Sequence, residues 1–514
     1  MDAEKAAFAA TDATIDSPSP AGSTKASKPT DADPLDPSEL VEYEIPPEEN
    51  RALLRTLDWH IAPVCMVLYL IAFLDRANIG NAAVGGMVKD LHFPPNGLSV
   101  ATSIFFVTYV VFEIPATMLL RTLRPSRMIP ACVIVWGAVV LGNGFAKNYA
   151  TVIACRLLLG ICEAGLFPSL VLYMTSFYQR EELALRTCYL FVASCVSGIV
   201  GGLIVSLFDF RNPELTTPKA TGFLKMHGLR GLAGWQWLYA IEGALTILIG
   251  IGSAFVIADR HESASYLTER QHFLMRVRAA KSAAYTRDDG FVWADFKKHA
   301  SDPMIYLSGF VLLCMDVCMY GFSTFLVVII NGLGYTPIVS QALTAPVYFW
   351  GATVYLIGAV ISDRYSVRYK IIIPCGLVTV VGYAILVSYP RSVGVRLFAT
   401  FLCSHLYICV GLHVTWLGQN MAGYRKRSFA IGTQLTMGNI GGIIAGQIYR
   451  TPDKPVYRLG HGASLAFWTT ALIFASLEWY IWRARNIARD NMTAEERAAD
   501  ENEGDQAADF RYVL

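Results

Sequence analysis

Arg156-Leu-Leu-Leu-Gly160-Ile-Cys-Glu163 places a permanent cation and a carboxyl group seven positions apart in a stretch otherwise apolar enough to lie in a bilayer. Seven residues are about two helical turns, so both side chains leave the helix on one side. A charge at the bilayer centre costs roughly 2.5 to 3.5 kcal/mol on insertion scales, so two on one face imply a polar cavity. The stretch therefore reads as the wall of a transport pathway in an all-α membrane protein. A static Arg156–Glu163 pair inside the bundle is the alternative.

Composition agrees. Of 514 residues 54% are apolar and only 16% are charged, too hydrophobic a mixture for a soluble chain of this size. The formal net charge of +1 gives no reason to expect a nucleic-acid partner. No GxxxxGK[ST] loop is present to supply ATP-driven transport, so a gradient is the expected energy source. No nucleophile–base or metal-ligating constellation stands out, so neither an enzyme nor a cofactor or metal is expected. The eleven cysteines all fall in apolar stretches, where cysteine behaves as a small hydrophobe. Cys314 and Cys318 share a helix face but lack the histidine or carboxylate company of a metal site.

Outward from helix four, segments of about 20 apolar residues, enough to span a core roughly 30 Å thick, recur twelve times. They lie near 59–80, 97–120, 127–147, 150–173, 186–208 and 234–258, then 303–330, 339–361, 369–389, 394–418, 428–449 and 462–482. The expected organisation is a disordered acidic tail over 1–50, a six-helix bundle over 51–258, a basic linker over 259–302, a second six-helix bundle over 303–482 and a tail over 483–514. No basic n-region followed by a short apolar h-region precedes a cleavage site, so no signal peptide is expected. Short basic loops, among them Arg121, Arg124 and Arg127, then Arg364, Arg368 and Lys370, then Arg425, Lys426 and Arg427, are assigned to the cytoplasm together with both termini.

The two halves echo one another. Ser197-Gly198-Ile-Val-Gly201-Gly202 in helix five parallels Gly438-Asn439-Ile-Gly441-Gly442 in helix eleven, and Asp363-Arg364 ends helix eight much as Glu113-Ile-Pro115, followed by Arg121, leads out of helix two. Glycine clusters let neighbouring helix backbones approach and slide, as two rocking bundles require.

Taken together, Asp75-Arg76-Ala-Asn78-Ile79-Gly80-Asn81, Phe112-Glu113-Ile114-Pro115, Arg156 to Pro168, Gly234-Trp235-Gln236-Trp237 with Glu242-Gly243, Trp416, Asn420, Pro455-Val-Tyr457 and Phe510-Arg511-Tyr512 resemble the major facilitator superfamily. Within it the chain is similar to the fungal anion:cation symporter group, the allantoate permease-like family. The resemblance runs from about residue 45 to the end and implies twelve transmembrane helices in two pseudo-symmetric six-helix bundles. The chain departs from the family pattern at Ala116-Thr117, Ser169 and Phe177, so allantoate is not carried over as substrate.

Site residues follow from intramembrane charge and from this resemblance. Arg76, seven residues after Tyr69 and on its face, is suited to clamp a carboxylate in two parallel bonds, and the resemblance implies that role. Snorkelling to the interface is the alternative. Arg156, Asp316 with Tyr320 one turn on, Gln434 and Asn439 complete the candidate substrate site, with helix-to-helix bonding the alternative for the last two. Glu163, and Asp75 by resemblance, are the candidate proton carriers. Glu113, Arg121, Arg127, Asp363 and Arg364 are candidate gating residues, and Glu242 is assigned to bracing the fold. His405 and His413, eight residues apart, read as packed neutral histidines for want of acidic companions, with proton relay as the alternative.

The resulting reading is a secondary active transporter, a monomer in the plasma membrane or an internal one, that takes up a small organic anion with protons by alternating access. Carboxylated vitamins, ureides, sugar acids and small peptides are the expected substrates, and membrane lipid is the surrounding partner. An inside-negative potential opposes anion entry by about 2.3 kcal/mol per charge per 100 mV, which co-transported protons reverse. The rivals are an exporter of an acidic metabolite and a nutrient sensor that does not transport.

Overall fold

The computed structural model describes residues 37–122, 124–206, 231–285, 297, 300–365, 367–422, 424–493, 495, 497, 505 and 507–514. Among these the regular structure is helical throughout, with no strand, as expected where backbone polar groups find no water and must bond within their own segment. The main helices are α1 (Pro47–His60), α2 (Ala62–Val84), α3 (Gly97–Thr122), α4 (Pro125–Asn143), α5 (Tyr149–Glu163), α6 (Leu166–Thr175), α7 (Arg180–Ser206) and α8 (Gly234–Val256). After α9 (Glu269–Tyr285) come α10 (Pro303–Gly332), α11 (Pro337–Tyr365), α12 (Tyr369–Ser388), α13 (Val393–Cys403), α14 (Leu406–Asn420), α15 (Tyr424–Ile448) and α16 (Arg458–Asp490).

Within the described residues each predicted apolar segment falls on one of these helices or on a helix pair broken once, as α5/α6 and α13/α14 are. Nine such stretches in the described residues are long and apolar enough to cross a membrane. In α3 and α7 the apolar run within the described residues is shorter, Gly97–Glu113 and Tyr189–Gly201. In α15 the basic first turn and Gln434, Asn439 and Gln447 lower the hydropathy.

Local chemistry sets several ends. Asn148 caps α5 by accepting the Thr151 N–H at 2.9 Å, and Asp302 caps α10 by accepting the Met304 N–H at 3.0 Å. Pro125 and Pro303 occupy first-turn positions, where a missing N–H costs no helical bond.

The two halves meet along glycine-lined seams. A Cβ on Gly198 of α7 would stand 2.5 Å from the Tyr348 ring of α11, and one on Gly442 of α15 would stand 2.3 Å from the Phe106 ring of α3. The parallel clusters noted in the sequence thus face the opposite half in matching fashion, helix five on helix eight and helix eleven on helix two. Further contacts between the halves lie toward the end remote from the basic loops. Gln447 donates to Ser103 Oγ at 2.8 Å, and Ser103 Oγ donates to the Ile443 carbonyl at 2.7 Å. A Cβ on Gly80 of α2 would strike the Thr324 carbonyl of α10 at 2.2 Å.

At the basic-loop end residues 37–50 are more ordered than the disordered tail expected over 1–50. Part of the predicted tail is helical, in Pro37–Glu42 and the start of α1, because it docks on α9. Arg270 donates to Glu49 at 3.0 Å and to Tyr43 at 2.6 Å, and Arg278 donates to Asn50 at 2.9 Å. Residues 1–36 lie outside the described residues. The predicted boundary at 482 also shifts, since α16 continues to Asp490 and residues 507–514 fold back on the second half.

Candidate functional site

A cavity at the centre of the molecule lies between the two halves. Tyr69 and Arg76 of α2 and Glu113 of α3 face Asp316 and Tyr320 of α10 and Asn439 of α15 across it. Its remaining wall is apolar and aromatic, with Phe167 and Phe191 prominent. A second, smaller cavity shares Arg76 and Tyr320 and adds Arg156, Thr102 and Ser323. The free volume is about 30 Å³ in the first and about 10 Å³ in the second, far below the roughly 300 Å³ at which small-molecule pockets begin. The site is constricted in this conformation and must widen to admit a solute.

Arg76 sits at the shared wall, 8% exposed, with its Nε donating to Glu163 Oε2 at 2.9 Å. Its guanidinium lies 4.9 Å from the Tyr109 ring centroid, 5.0 Å from Phe73 and 5.6 Å from Phe105, within cation–π range. Its Nη2 has no hydrogen-bond partner among the described residues, nor does Oε1 of Glu163. The arrangement holds a guanidinium in place while leaving donor capacity unused.

The partner of Glu163 is therefore Arg76 from another helix. Arg156, on the same helix as Glu163, donates from Nη2 to the Tyr239 hydroxyl of α8 at 3.2 Å. A shared helix face does not ensure contact over seven residues, because the lateral partner is chosen by packing.

Asp75 points away from Arg76, as neighbours on a helix must. It accepts from Trp136 Nε1 of α4 at 2.7 Å, with Oδ1 unpartnered among the described residues. Glu242 is likewise buried and accepts from Asn78.

Opposite Arg76, Asp316 is 5% exposed, and its Oδ1 has no hydrogen-bond partner among the described residues. It packs closely on α15, where a Cβ on Gly438 would stand 2.5 Å from Asp316 Oδ2. Tyr320 donates to Asn439 Oδ1 at 2.8 Å, and Asn439 donates to both oxygens of Glu113 at 3.1 and 3.2 Å. Thr436 adds a further donation to Glu113 at 3.3 Å. Glu113, expected at a gate, thus joins the halves within the cavity wall.

Gln434 lies apart from the cavity lining. It donates to Ser308 at 3.0 Å beside His413, which meets Glu478 of α16 at 3.0 Å with both side chains wholly buried. His413 does have an acidic companion, contrary to the sequence reading. His405 instead bonds the Leu402 carbonyl at 3.0 Å.

Of the remaining gating candidates, Arg127 and Arg364 are exposed, while the side chains of Arg121 and Asp363 lie outside the described residues. Near Arg127, Asp259 accepts the Ser126 N–H at 2.9 Å. Burial opposes its charge, but the Ser126 bonds and the Arg124 and Arg127 charges hold its carboxyl below the ordinary range.

Sequence reasoning missed Tyr109, Trp136, Tyr239 and Glu478. Phe105, Phe106 and Tyr109 carry a readable signal, aromatic side chains about two turns (Phe105, Phe106) and one turn (Tyr109) before Glu113. Glu478 is itself an acid inside an apolar segment, which marks it for function by default.

The profile of the Major Facilitator Superfamily matches residues 65–446. An uncharacterized transporter of Schizosaccharomyces pombe is 38% identical over 470 residues, covering 91% of this chain and 91% of its own. A high-affinity nicotinic acid transporter of Saccharomyces cerevisiae is 32% identical over 474 residues, covering 91% of this chain and 85% of its own. Among solved structures, a bacterial homolog of the human lysosomal transporter Spinster, in an inward-facing and unoccupied conformation, superposes with a TM-score of 0.62 at 14% identity, covering 82% of this chain and 96% of that one.

Proposed function

The chain belongs to the major facilitator superfamily, and from that premise we propose that it is a proton-coupled symporter of a small organic anion. The observation that carries the reading is Arg76, fixed at the cavity wall by Glu163 with an unbonded donor, across from Asp316. A planar cation of this kind grips a carboxylate through two parallel bonds.

The charge balance supports proton coupling. Asp75, Glu113, Glu163, Glu242 and Asp316 are buried in and around the cavity with Arg76 and Arg156. Five carboxylates against two guanidiniums would repel an entering anion, and protons taken up with the substrate remove that repulsion. Glu163 serves in this reading because its proton state decides how tightly Arg76 is held. Asp75 and Asp316 are the further acids through which a proton can pass.

The aromatic wall of Tyr69, Tyr109, Phe167 and Phe191 suits a flat, partly apolar acid. Together with the nicotinic acid transporter among its relatives, this puts carboxylated vitamins first among the substrate classes. We take the chain to cross the plasma membrane twelve times as a monomer, with both termini cytoplasmic. In that orientation the packed seams at Gly80, Ser103 and Gly198 lie toward the outside.

Uptake of labelled nicotinate, ureides, sugar acids and dipeptides at pH 5 and pH 7, in cells deleted for their own transporters, tests the reading. Saturable uptake of an organic acid, faster at pH 5, is expected. Uptake insensitive to a protonophore, or loss of preloaded acid on expression, refutes it.

A further inference from the structure

A densely bonded polar cluster outside the cavity is formed by the last residues of the chain. Asn420 of α14 reads the backbone of Val513 from both sides, accepting its N–H at 2.7 Å and donating to its carbonyl at 3.1 Å. Asn486 of α16 does the same for Tyr512, accepting its N–H at 2.9 Å and donating to its carbonyl at 2.8 Å. Two side-chain amides thus each pair with both the N–H and the carbonyl of one backbone residue. Trp416 Nε1 donates to the Val513 carbonyl at 2.8 Å, and the Arg368 N–H, at the entry to α12, donates to the Leu514 carbonyl at 3.1 Å.

Side chains add selectivity. Tyr512 is 4% exposed, stacked on Trp482 at an interplanar angle of 14°, and its hydroxyl donates to the Asp505 carbonyl at 2.8 Å. Arg489 donates to the Phe510 carbonyl at 2.9 Å and to that of Asp505 at 2.6 Å. The Asp505 carboxylate accepts from Lys426, in the first turn of α15, at 2.8 and 3.0 Å. Lys426 also pairs with Asp302, the cap of α10.

We infer that the groove between α12, α14, α15 and α16 is an intramolecular docking site for Asp505 and residues 507–514, and that the docked segment clamps the basic-loop ends of the second half into one rigid body. Every contact above lies within the second half, so movement of that half against the first breaks none of them. The segment stays docked throughout the cycle. Docking itself is independent of the transport reading; only the effect on rate rests on alternating access.

The test uses a chain ending at Gly504 beside the full chain, in lipid nanodiscs, with a fluorescent peptide of sequence Asp505–Leu514 as probe. The peptide binds the shortened chain, fails to bind the full chain whose groove is filled, and loses at least tenfold in affinity when its tyrosine is replaced by alanine. The shortened chain melts at a lower temperature, and the peptide restores it. Should the shortened chain not fold, full-length Asn420→Ala/Asn486→Ala replaces it, and an unchanged melting temperature there overturns the docking site.

For the rigid-body step, cysteines replace the exposed pair Asp490 and Arg511, whose charges lie 3.0 Å apart, and are crosslinked. The crosslinked protein transports at the wild-type rate, whereas the shortened chain loses more than tenfold in maximum rate with substrate affinity within twofold. A crosslink that stops transport shows that the segment must leave its groove and overturns the clamp. A shortened chain with unchanged melting temperature and no peptide binding overturns the docking site. If no substrate of the proposed class is found, the binding and melting arms still decide the docking.

Discussion

Replacing Glu163 with glutamine strikes the Arg76–Glu163 pair, because the amide keeps the shape of the carboxyl group and deletes its charge. Glu163 is 0% exposed and Arg76 8%, so water cannot stand in for the lost partner. Breaking a buried pair by removing one member costs about 3 to 5 kcal/mol, since the survivor is left charged and uncompensated. The three rings around the guanidinium remain, and the amide oxygen still accepts a bond, which puts the expected loss at the lower end, about 3 kcal/mol. That is roughly a hundredfold in the ratio of folded to unfolded protein. The assay is reversible unfolding of wild type, Glu163→Gln, Arg76→Gln and the double variant in mixed micelles. Coupling of about 2 kcal/mol or more is expected, whereas additivity to within about 0.5 kcal/mol refutes the pair as an energetic unit. In liposomes Glu163→Gln should retain counterflow and lose accumulation driven by a pH gradient. If the gradient still drives uphill uptake at the wild-type rate, Glu163 is a structural partner and the proton carrier is Asp75 or Asp316.

Arg76→Lys keeps the charge but not the planar fork, and should weaken substrate affinity in binding titrations by tenfold or more; near-normal affinity removes Arg76 from the binding site. Trp136→Phe deletes the 2.7 Å donation to Asp75 and should cost about 1 to 3 kcal/mol in the same unfolding assay, because the acceptor is left buried without it. Gly441→Val places methyls where a Cβ alone already approaches the Leu313 carbonyl to 2.7 Å; it should destabilise by about 1 to 3 kcal/mol or more, and an unchanged melting curve argues against the tight α10–α15 contact. For Asp259, held below its ordinary value of 3.8, the stabilisation is present above the unfolded pKa and is lost as pH falls through the folded one. Asp259→Asn should therefore flatten the loss of stability below about pH 4, and an unaltered acid limb contradicts the Ser126 bond.

The spans were legible because bilayer chemistry leaves few choices: about 20 apolar residues and internal backbone bonding dictate a helix at each. That Tyr69, Arg76, Asp316, Tyr320 and Asn439 all border one cavity reflects the same logic, since charged and polar groups inside spans must face a polar interior. Lateral partners were not legible. Helical spacing says which residues of one helix share a face, but not which helix that face meets. So the arginine nearest Glu163 in sequence bonds Tyr239, while its ion-pair partner lies 87 residues away. Gln434 and Asn439 illustrate the same limit, five residues apart on α15 yet serving separate networks. The ordering of 37–50, of Asp505 and of 507–514 was hidden for another reason. Polar, charged composition normally marks segments that bury too little to order, and these are held by specific bonds to α9, α14 and α16.

The 87-residue separation of Arg76 from Glu163 also bears on biosynthesis. At about 5 to 20 residues per second, α2 leaves the ribosome roughly 4 to 17 seconds before its counter-charge exists. Asn78 waits longer still, for Glu242, 164 residues on. Through that interval the guanidinium has to be held by lipid headgroups, water or the insertion machinery, with the helix displaced toward an interface. Helix α2 reaches its final depth once α5 arrives, and its last turns are fixed once α8 follows. The buried polar contacts of the first half therefore impose an order of assembly, in which a helix early in synthesis is among the last to settle.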